Sequence, residues 1–334
     1  MGDVAMTVPV LQLLLNQHPD IRLTIVSRPK FEALFRHLPR TDFFSADVDD
    51  KYRGILGIFK LARQLRLLKP NAIADLHEVL RSNLLKKLLK IQLLIPVKTI
   101  QKGRADKKKL CANNQKKELK PIKNSFERYA DVFEKLGYKI NLEANSDFVK
   151  PIISVKAELL LSEAGDNTAI GIAPFARYQG KTYPLESMKI VLKQLLEAKP
   201  ELHLFLFAAI TDQENLQKLK DLSPNKITLI AGALELYEEL GLISRLKLML
   251  SMDSANMHLA SMLGVRVISL WGATHPYLGF YGWKQNIDDA ICADRDKYPT
   301  LPSSVNGSKQ HPGTENCMET IAPKTIVKKM LEIL

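Results

Sequence analysis

The chain has 334 residues, of which 46% are hydrophobic and 25% are charged, and this length suits two domains of about 150 residues each. No run of about 18 apolar residues is present, so the sequence predicts no membrane-spanning helix. The three cysteines, Cys111, Cys292 and Cys317, lie far apart in the chain. That spacing disfavours a disulfide framework and favours a reduced, cytoplasmic protein.

The first half of the chain is predicted to alternate helices with short strands. Apolar spacing predicts helices over 4–17, 57–68, 81–90 and 124–136, and strands over 20–28 and 71–77. Residues 102–123 are lysine-rich without an apolar period, which predicts a loop or a mobile helix. A doubly wound sheet normally begins with a strand, whereas here Met1-Gly2-Asp3 leads directly into a helix. The first strand of the N-terminal domain is therefore expected to be missing.

The second half repeats strands and helices in regular alternation. The pattern predicts strands over 169–175, 202–208, 226–230, 246–252 and 265–270, and helices over 185–197, 212–219, 236–243 and 255–263. Apolar runs of this kind are typical of parallel strands buried on both faces. We therefore predict an α/β protein with two Rossmann-like, doubly wound parallel sheets facing a cleft, and domains at 1–153 and 154–334. A final helix over 323–334 is expected to pack back on the domain junction.

The net charge of +12 is concentrated in one part of the chain. Residues 51–123 carry 20 Lys+Arg and 4 Asp+Glu. This excess indicates an anionic partner: nucleic acid, a lipid headgroup surface or a phosphorylated substrate. A well-solvated lysine surface is the simpler alternative. The region has few aromatic side chains to stack on bases and no nucleic-acid-binding motif, so we do not expect a nucleic-acid partner.

The segment Met252–His258 is the strongest candidate for an anion site. Asp253 follows a predicted strand, Ser254 suits the N-cap of the next helix, and His258 lies one turn further on the same face. The free N–H groups at a helix start and the helix dipole favour an anion there. An ordinary strand–helix turn capped by Asp253 explains the same spacing equally well.

Two further turns follow strands of the same predicted sheet. Lys181 stands in the Gly180–Pro184 turn, where a lysine beside a helix start suits a phosphate, although surface lysines are common. Gly272 and Thr274 belong to the glycine turn after strand 265–270. Because the carboxyl ends of parallel strands meet at one edge of a sheet, the three turns are expected to converge.

Charged residues of the first half are candidates for an acceptor site. Asp3, at a helix start, is either a general base or a helix cap. Arg104 and Arg128 can grip phosphates or carboxylates, while Arg128 can instead pair with Glu127 or Asp131 on a solvated face. No G-x-G-x-x-G after a strand, P-loop, G-x-S-x-G motif or metal-ligand spacing is present, so the sequence predicts neither a dinucleotide oxidoreductase nor a metal centre.

Taken together, these residues resemble the bacterial lipopolysaccharide heptosyltransferases of glycosyltransferase family 9, which are inverting transferases with the two-domain GT-B fold. The resemblance covers nearly the whole chain. It is carried by Met1-Gly2-Asp3-Val4, Asp75-Leu76-His77 with Arg81-Ser82, Glu127-Arg128, Lys181 with Pro184, and Asp253-Ser254 with His258, followed by Gly272 and Thr274.

The resemblance implies a metal-independent enzyme without a cofactor, an ADP-heptose donor, and an anionic glycolipid acceptor carrying Kdo and lipid A. It also implies peripheral association with the cytoplasmic face of the inner membrane. It implies the following roles: Asp3 as the catalytic base; Lys181, Asp212, Asp253, Ser254, Ala255, His258, Gly272 and Thr274 in donor binding; and His77, Arg81, Arg104 and Arg128 in acceptor binding. The sequence departs from the family at Ala255, where glycine is usual, and at Ala176-Arg177, which replace a pair of hydroxyl residues.

A second function stays open at this point. A protein of this fold that has lost turnover would bind a sugar nucleotide or an anionic glycan without transferring it. The missing first strand motivates this alternative, because it leaves Asp3 at the chain terminus beside the terminal amine.

Overall fold

The computed structural model describes residues 1–115, 117–145 and 151–334. Contacts divide the chain into two compact units. The first consists of Asp3–Gly103 and Ser125–Asp147 together with Met1, and the second of Arg104–Asn124 and Phe148–Leu334 together with Gly2. Residue 116 of the lysine-rich stretch lies outside the described residues.

The secondary structure is α/β throughout. The helices are α1 Gly2–Ala5, α2 Thr7–Gln17, α3 Gly54–Leu67, α4 Leu80–Leu93, α5 Arg104–Leu110, α6 Ser125–Glu134, α7 Val155–Ser162, α8 Leu185–Ala198, α9 Gln213–Lys220, α10 Leu236–Ile243, α11 Ala255–Met262 and α12 Pro323–Leu331. The strands are β1 Leu23–Ser27, β2 Thr41–Ser45, β3 Ile73–Asp75, β4 Val97–Thr99, β5 Thr168–Ala173, β6 Leu202–Leu206, β7 Ile227–Leu229, β8 Leu248–Met252, β9 Arg266–Trp271 and β10 Ala290–Cys292.

The second unit contains the sheet that the sequence predicted. Its strands are all parallel and run in the order β10-β9-β8-β5-β6-β7. β6 and β8 are buried along their whole length because their apolar side chains face helices on both sides. The chain order reverses beside β5, which pairs with both β6 and β8. Ligands of such sheets bind outside the carboxyl ends of the strands at this reversal point.

The first unit differs from a single doubly wound sheet. β1 pairs in parallel with β2, and β3 pairs in parallel with β4, but the two pairs are not hydrogen bonded to each other. The first element is α1, as the sequence predicted. Each of these four strands therefore has one strand neighbour among the described residues. The unit has its own apolar core, in which Leu61, Leu65 and Leu89 pack with Tyr52.

The lysine-rich stretch belongs to the second unit, whereas the sequence placed the whole of 1–153 in the first domain. Its helix α5 lays the Lys107 ammonium over the Phe280 ring, 3.9 Å from the ring centroid. The Lys117 ammonium donates to the carbonyls of Ala112 (3.0 Å), Pro302 (2.7 Å) and Thr300. These contacts hold the stretch against the second unit, and main-chain carbonyls give no signal in a sequence.

The final helix packs within the second unit. Ile326, Val327 and Met330 of α12 join the core that lies against α8. Lys329 also reaches the fully buried Asp289, with Nζ 3.1 Å from Oδ1, and Arg266 pairs with the same carboxylate at 2.7 Å. The helix is thus tied to the β9 side of the sheet by charge as well as by apolar packing.

Candidate functional site

The three predicted turns converge at one edge of the second unit's sheet. Lys181 follows β5, Asp253 follows β8 and Thr274 follows β9, and these three strands are neighbours. The Lys181 ammonium lies 3.1 Å from Asp253 Oδ2, and the Thr274 hydroxyl donates to the same oxygen at 2.8 Å. Asp253 and Thr274 are buried, so this carboxylate meets a cation and a hydroxyl away from bulk water.

The turn from β8 into α11 differs from an ordinary capped turn. Ser254 is the N-cap of α11, with φ −140° and ψ 178°, but its side chain makes no cap hydrogen bond. Its hydroxyl lies 3.1 Å from that of Ser251 instead. The Asp253 carboxylate is directed to Lys181 and Thr274, so Asp253 does not act as a simple cap of α11. Ala255 begins α11, and His258 is buried in its second turn.

Gly272 and Gly180 allow the turns after β9 and β5 to touch. The Gly180 carbonyl accepts from the N–H of Ala273 at 2.8 Å. A Cβ on Gly272 would sit 2.8 Å from that carbonyl oxygen and 2.5 Å from the Met318 sulfur, closer than real Cβ atoms approach. The predicted Gly272 is therefore required for packing at this edge.

Thr182 closes the turn that carries Lys181. Its hydroxyl accepts from the Ala176 N–H at 3.3 Å and lies 3.2 Å from the Tyr178 carbonyl. Ala176 and Arg177 stand where the family resemblance implies a pair of hydroxyl residues, and the local hydrogen bonds are made by Thr182, the residue after the lysine.

Sequence reasoning did not identify a loop that also contacts this site. The N–H groups of Ser303 and Ser304 both donate to the Ala273 carbonyl, at 2.9 and 3.0 Å. Gly307 has φ +84°, and a Cβ there would sit 2.5 Å from Lys181 Cγ. The loop thus lies against the aliphatic stem of Lys181. Its Gly- and Ser-rich composition gave no apolar period, and only its contacts reveal its position.

Asp212 lies outside the Lys181–Asp253–Thr274 cluster. It is half-buried and precedes α9, after the carboxyl end of β6, and it does not cap that helix through its side chain. Because β6 adjoins β5, Asp212 stands at the same edge of the sheet. Among the described residues, no group of three or more His, Cys, Asp or Glu side chains is placed to hold a metal ion.

In the first unit Asp3 lies near His77 and Tyr129. The buried Tyr129 hydroxyl donates to the Asp3 carbonyl at 3.2 Å. Burial, and after it the Asp3 charge, raise the pKa of Tyr129. Burial of the ring and the Lys102 charge lower the pKa of His77, although Asp3 and Asp75 act in the opposite direction. Two predicted residues, Asp3 and His77, are therefore electrostatic neighbours.

Asp75 builds the turn that presents His77 and Arg81. Its carboxylate accepts from the N–H groups of His77 and Glu78, at 3.0 and 2.9 Å, and from the Lys86 ammonium at 2.9 Å. Burial would raise the pKa of Asp75, but these hydrogen bonds and the Lys86 charge outweigh it and lower that pKa below its ordinary value. Arg81 is exposed in the first turn of α4, just beyond this network.

The structure places Arg104 and Arg128 in different units. Arg128 is buried, and its guanidinium donates to the Gln101 carbonyl at 3.0 Å. Gly103, with φ +61°, passes so close that a Cβ there would sit 2.2 Å from the guanidinium. Arg104 is exposed at the start of α5 in the second unit.

The family model of glycosyltransferase family 9 (heptosyltransferase) matches residues 58–306. This match spans most of the chain, and the chain belongs to that family. It is therefore a glycosyltransferase, and the family resemblance seen in the sequence is confirmed.

Individual relatives match over nearly their whole length. The chain is 23% identical to lipopolysaccharide heptosyltransferase 1 of Campylobacter coli, over 100% of this chain and 96% of the relative. A family 9 glycosyl transferase structure from Veillonella parvula has a TM-score of 0.74 at 18% identity, covering 100% and 94% of the two chains. E. coli heptosyltransferase WaaC with ADP has a TM-score of 0.69 at 17% identity, covering 100% and 97%. These similarities confirm the α/β fold with parallel sheets.

Proposed function

We propose that this chain transfers heptose from ADP-heptose to the lipopolysaccharide inner core, with an acceptor of the Kdo–lipid A type. Family membership and the similarity to heptosyltransferases support this substrate class. The observation that carries the proposal is the convergence of Lys181, Asp253 and Thr274 beside the start of α11. A nucleoside diphosphate is the anion that this edge of a parallel sheet suits best.

The second unit would hold the donor. Lys181 and the N–H groups at the start of α11 would face the diphosphate with positive charge. They would stabilise the negative charge that develops on the diphosphate as it leaves the sugar. Asp253 holds Lys181 and Thr274 in place, while Ser254, Ala255, His258, Gly272 and Asp212 shape the rest of the donor site. The charge on the leaving group is met by the protein's own groups, so we propose that transfer is independent of a metal ion.

Asp3 would act as the general base. Its carboxylate takes the proton from the acceptor hydroxyl while the hydroxyl oxygen attacks the anomeric carbon of heptose. The new C–O bond forms as the bond between that carbon and the diphosphate oxygen breaks, and ADP leaves from the opposite face. A single displacement of this kind inverts the anomeric configuration.

The acceptor and its membrane would be recognised through positive charge. We propose that His77, Arg81, Arg104 and Arg128 bind or position the anionic glycolipid, and that the protein associates peripherally with the cytoplasmic face of the inner membrane. The excess of cations over 51–123 supports this proposal because phosphorylated glycolipids and inner-leaflet lipids are anionic. In the described part of the chain, the helices are all too short or too polar to cross a bilayer.

The test is transfer by the purified protein from ADP-heptose to a de-acylated Kdo–lipid A acceptor, followed by mass spectrometry. Asp3→Asn should abolish transfer while ADP still binds in calorimetry, and Lys181→Ala should weaken ADP binding. The exposed Asp20→Asn and Lys193→Ala are controls that should change neither. A chelator should leave the rate unchanged, and the product should have the inverted anomeric configuration. Undiminished transfer by Asp3→Asn would show that another group is the base.

One observation favours a second candidate, a protein that binds a sugar nucleotide or anionic glycan without transfer. The sheet of the unit that carries Asp3 is divided into two separate pairs of strands, which supports a base less firmly than one continuous sheet. Saturable ADP binding, with no product from any acceptor tested, would decide for this alternative.

A further inference from the structure

The outer face of α3 carries large apolar side chains although it faces solvent. Ile55, Leu56 and Phe59 are 66%, 84% and 48% exposed, and Leu67 and Leu68 at the other end of the helix are exposed as well. At about 100° per residue, Ile55, Leu56, Phe59 and Leu67 fall within an arc of about 120°. Exposed apolar residues scattered singly need no explanation, but a contiguous set on one helix face marks an interaction surface.

The opposite face of α3 shows that this exposure is not a consequence of loose packing. Gly57, Ile58, Leu61, Ala62 and Leu65 are all buried. Gly57 lies so close to Tyr52 that a Cβ would sit 2.2 Å from its carbonyl carbon. The inner face of the helix is therefore closely packed against the first unit, and this packing leaves the outer face exposed to solvent.

The positive charge on the same segment indicates an anionic partner. Residues 51–69 carry six cations, at Lys51, Arg53, Lys60, Arg63, Arg66 and Lys69, and no Asp or Glu. The apolar residues Ile55, Leu56 and Phe59 stand in the first turns of the helix. Lys60, Arg63 and Arg66 follow along the same exposed side, while Lys51 and Arg53 precede the helix. Lysine and arginine on such a face extend their charged ends to phosphates while their stems stay with the apolar surface.

These observations favour an anionic lipid surface over a second copy of the chain. A second copy of the chain would bring two sets of like charges together across a two-fold interface, which is repulsive. An anionic bilayer instead offers hydrocarbon to the leading apolar turn and phosphates to the cations that follow.

We propose that α3 is an in-plane membrane helix, with Ile55, Leu56 and Phe59 inserted among anionic lipids and Lys60, Arg63 and Arg66 at the headgroups. This inference rests on the proposed function, because it assigns the surface through which the enzyme meets its membrane. The structure offers a comparison in α7 of the second unit, where Val155 and Leu159 are 76% and 65% exposed at the same spacing as Ile55 and Phe59. α7 lacks the cation excess, since Glu158 and Glu163 accompany Lys156.

The experiment is co-sedimentation of the full chain with vesicles of phosphatidylglycerol and phosphatidylcholine, or of phosphatidylcholine alone. The wild-type chain should bind the anionic vesicles, with a partition coefficient that falls as salt rises. Ile55→Gln with Phe59→Gln should lower that coefficient about tenfold or more, because both side chains lose burial in lipid. The matched control, Val155→Gln with Leu159→Gln, should leave it unchanged.

A charge variant tests the second half of the surface. Arg63→Gln with Arg66→Gln should reduce the preference for anionic over neutral vesicles, while both double variants keep the wild-type melting temperature because the altered side chains are exposed. Equal loss by the α7 control, or undiminished binding by the α3 variant, would overturn the proposal. A dimer that the α3 variant converts to a monomer would likewise overturn it in favour of a second copy.

Failure of the proposed function would look different. Transfer to the de-acylated acceptor requires no vesicle, so the α3 variant should retain wild-type transfer in that assay. A wild-type chain that binds vesicles through α3 but transfers no heptose would overturn the function and leave the lipid surface standing.

Discussion

At the scale of single residues, the position of Lys181 is set by three kinds of contact. Asp253 attracts its ammonium, the turn closed by Thr182 fixes its backbone, and Gly307 lies against its aliphatic stem. If Lys181 binds the donor diphosphate, the Gly307 contact positions that charge without touching the ligand.

Gly307→Ala should therefore weaken ADP binding about tenfold, a loss of about 1.4 kcal/mol, because its methyl group displaces Lys181. Gly313→Ala is a matched control. Both glycines have positive φ, +84° and +81°, so alanine is similarly strained at either, but nothing lies within 4 Å of a Cβ at Gly313. Calorimetric titration with ADP makes the comparison.

The same variant should lose its effect in a chain that already carries Lys181→Ala, because the coupling acts through that side chain. Equal weakening by Gly307→Ala and Gly313→Ala would mean that the loop responds to backbone strain alone, and that Lys181 is positioned by its other neighbours.

Asp75 gives a pH-dependent prediction. Its lowered folded-state pKa means that its stabilisation is complete above the unfolded value, about 3.9, and is lost as the pH falls through the folded value. Asp75→Asn should destabilise the first unit by about 1–3 kcal/mol at pH 7, because Lys86 and two N–H groups lose their charged acceptor. The difference from wild type should narrow below about pH 3.9.

The measurement is hydrogen exchange of the β3 and α4 amides across a urea series, once at pH 7 and once below about pH 3.9. Asp20→Asn, at an exposed position of the same unit, is the control and should match wild type throughout. A difference of constant size at both pH values would show that the loss comes from packing and not from ionisation.

At the scale of elements, the stretch 104–124 is the least expected feature. Lys117 connects it to the rest of the second unit, because its ammonium reaches the carbonyls of Thr300 and Pro302 as well as that of Ala112 within the stretch. Burial, the largest cause, lowers the pKa of Lys117 to about 8. None of these acceptors is a carboxylate, so the position of Lys117 depends on where the main-chain carbonyls lie.

Lys117→Met should release this stretch, because the thioether keeps the apolar stem and loses all three donors. Limited trypsin digestion should then cut within 104–124 several-fold faster, with cleavage fragments located by mass spectrometry. The exposed Lys109→Met, in the same stretch, removes a trypsin site without removing these hydrogen bonds and is the control. Unchanged digestion of Lys117→Met would assign the anchoring to α5 and the Ile122–Tyr277 hydrogen bond.

How far the sequence predicted the structure depended on the type of contact. β5 to β9 of the second unit were predictable because they are largely buried, which leaves continuous apolar runs. The meeting of Lys181, Asp253 and Thr274 followed from the parallel direction of those strands. β2, β4 and β10 were not predicted, because they are short and only partly buried, and so lack such runs. The contacts of Gly307 and Lys117 involve a missing side chain and main-chain carbonyls, which leave no pattern.

At the scale of the whole molecule, the two units have separate cores, and the residues proposed to bind the donor belong to the second. ADP should therefore stabilise the second unit directly, by about 2.7 kcal/mol at a concentration one hundred times its dissociation constant. The two tryptophans, Trp271 and Trp283, both lie in that unit, so their fluorescence reports its unfolding.

The melting temperature measured by tryptophan fluorescence should accordingly rise when ADP is added. Lys181→Ala should abolish most of this rise. Hydrogen exchange of the α3 and α4 amides reports the stability of the first unit, and ADP should slow this exchange less. A shift of equal size in both measurements would mean that the two units unfold as one cooperative body.

The ion pair between Lys181 and Asp253 has a consequence for selectivity. An anion that approaches Lys181 does not meet an unneutralised cation, because the Asp253 carboxylate already lies against its ammonium. A lone phosphate or sulfate therefore gains less there than it would at an unpaired lysine. A nucleotide brings further contacts through its sugar and base, which offset the repulsion from Asp253. The Asp253 carboxylate would thus lower the affinity for small cellular anions more than it lowers the affinity for a nucleotide.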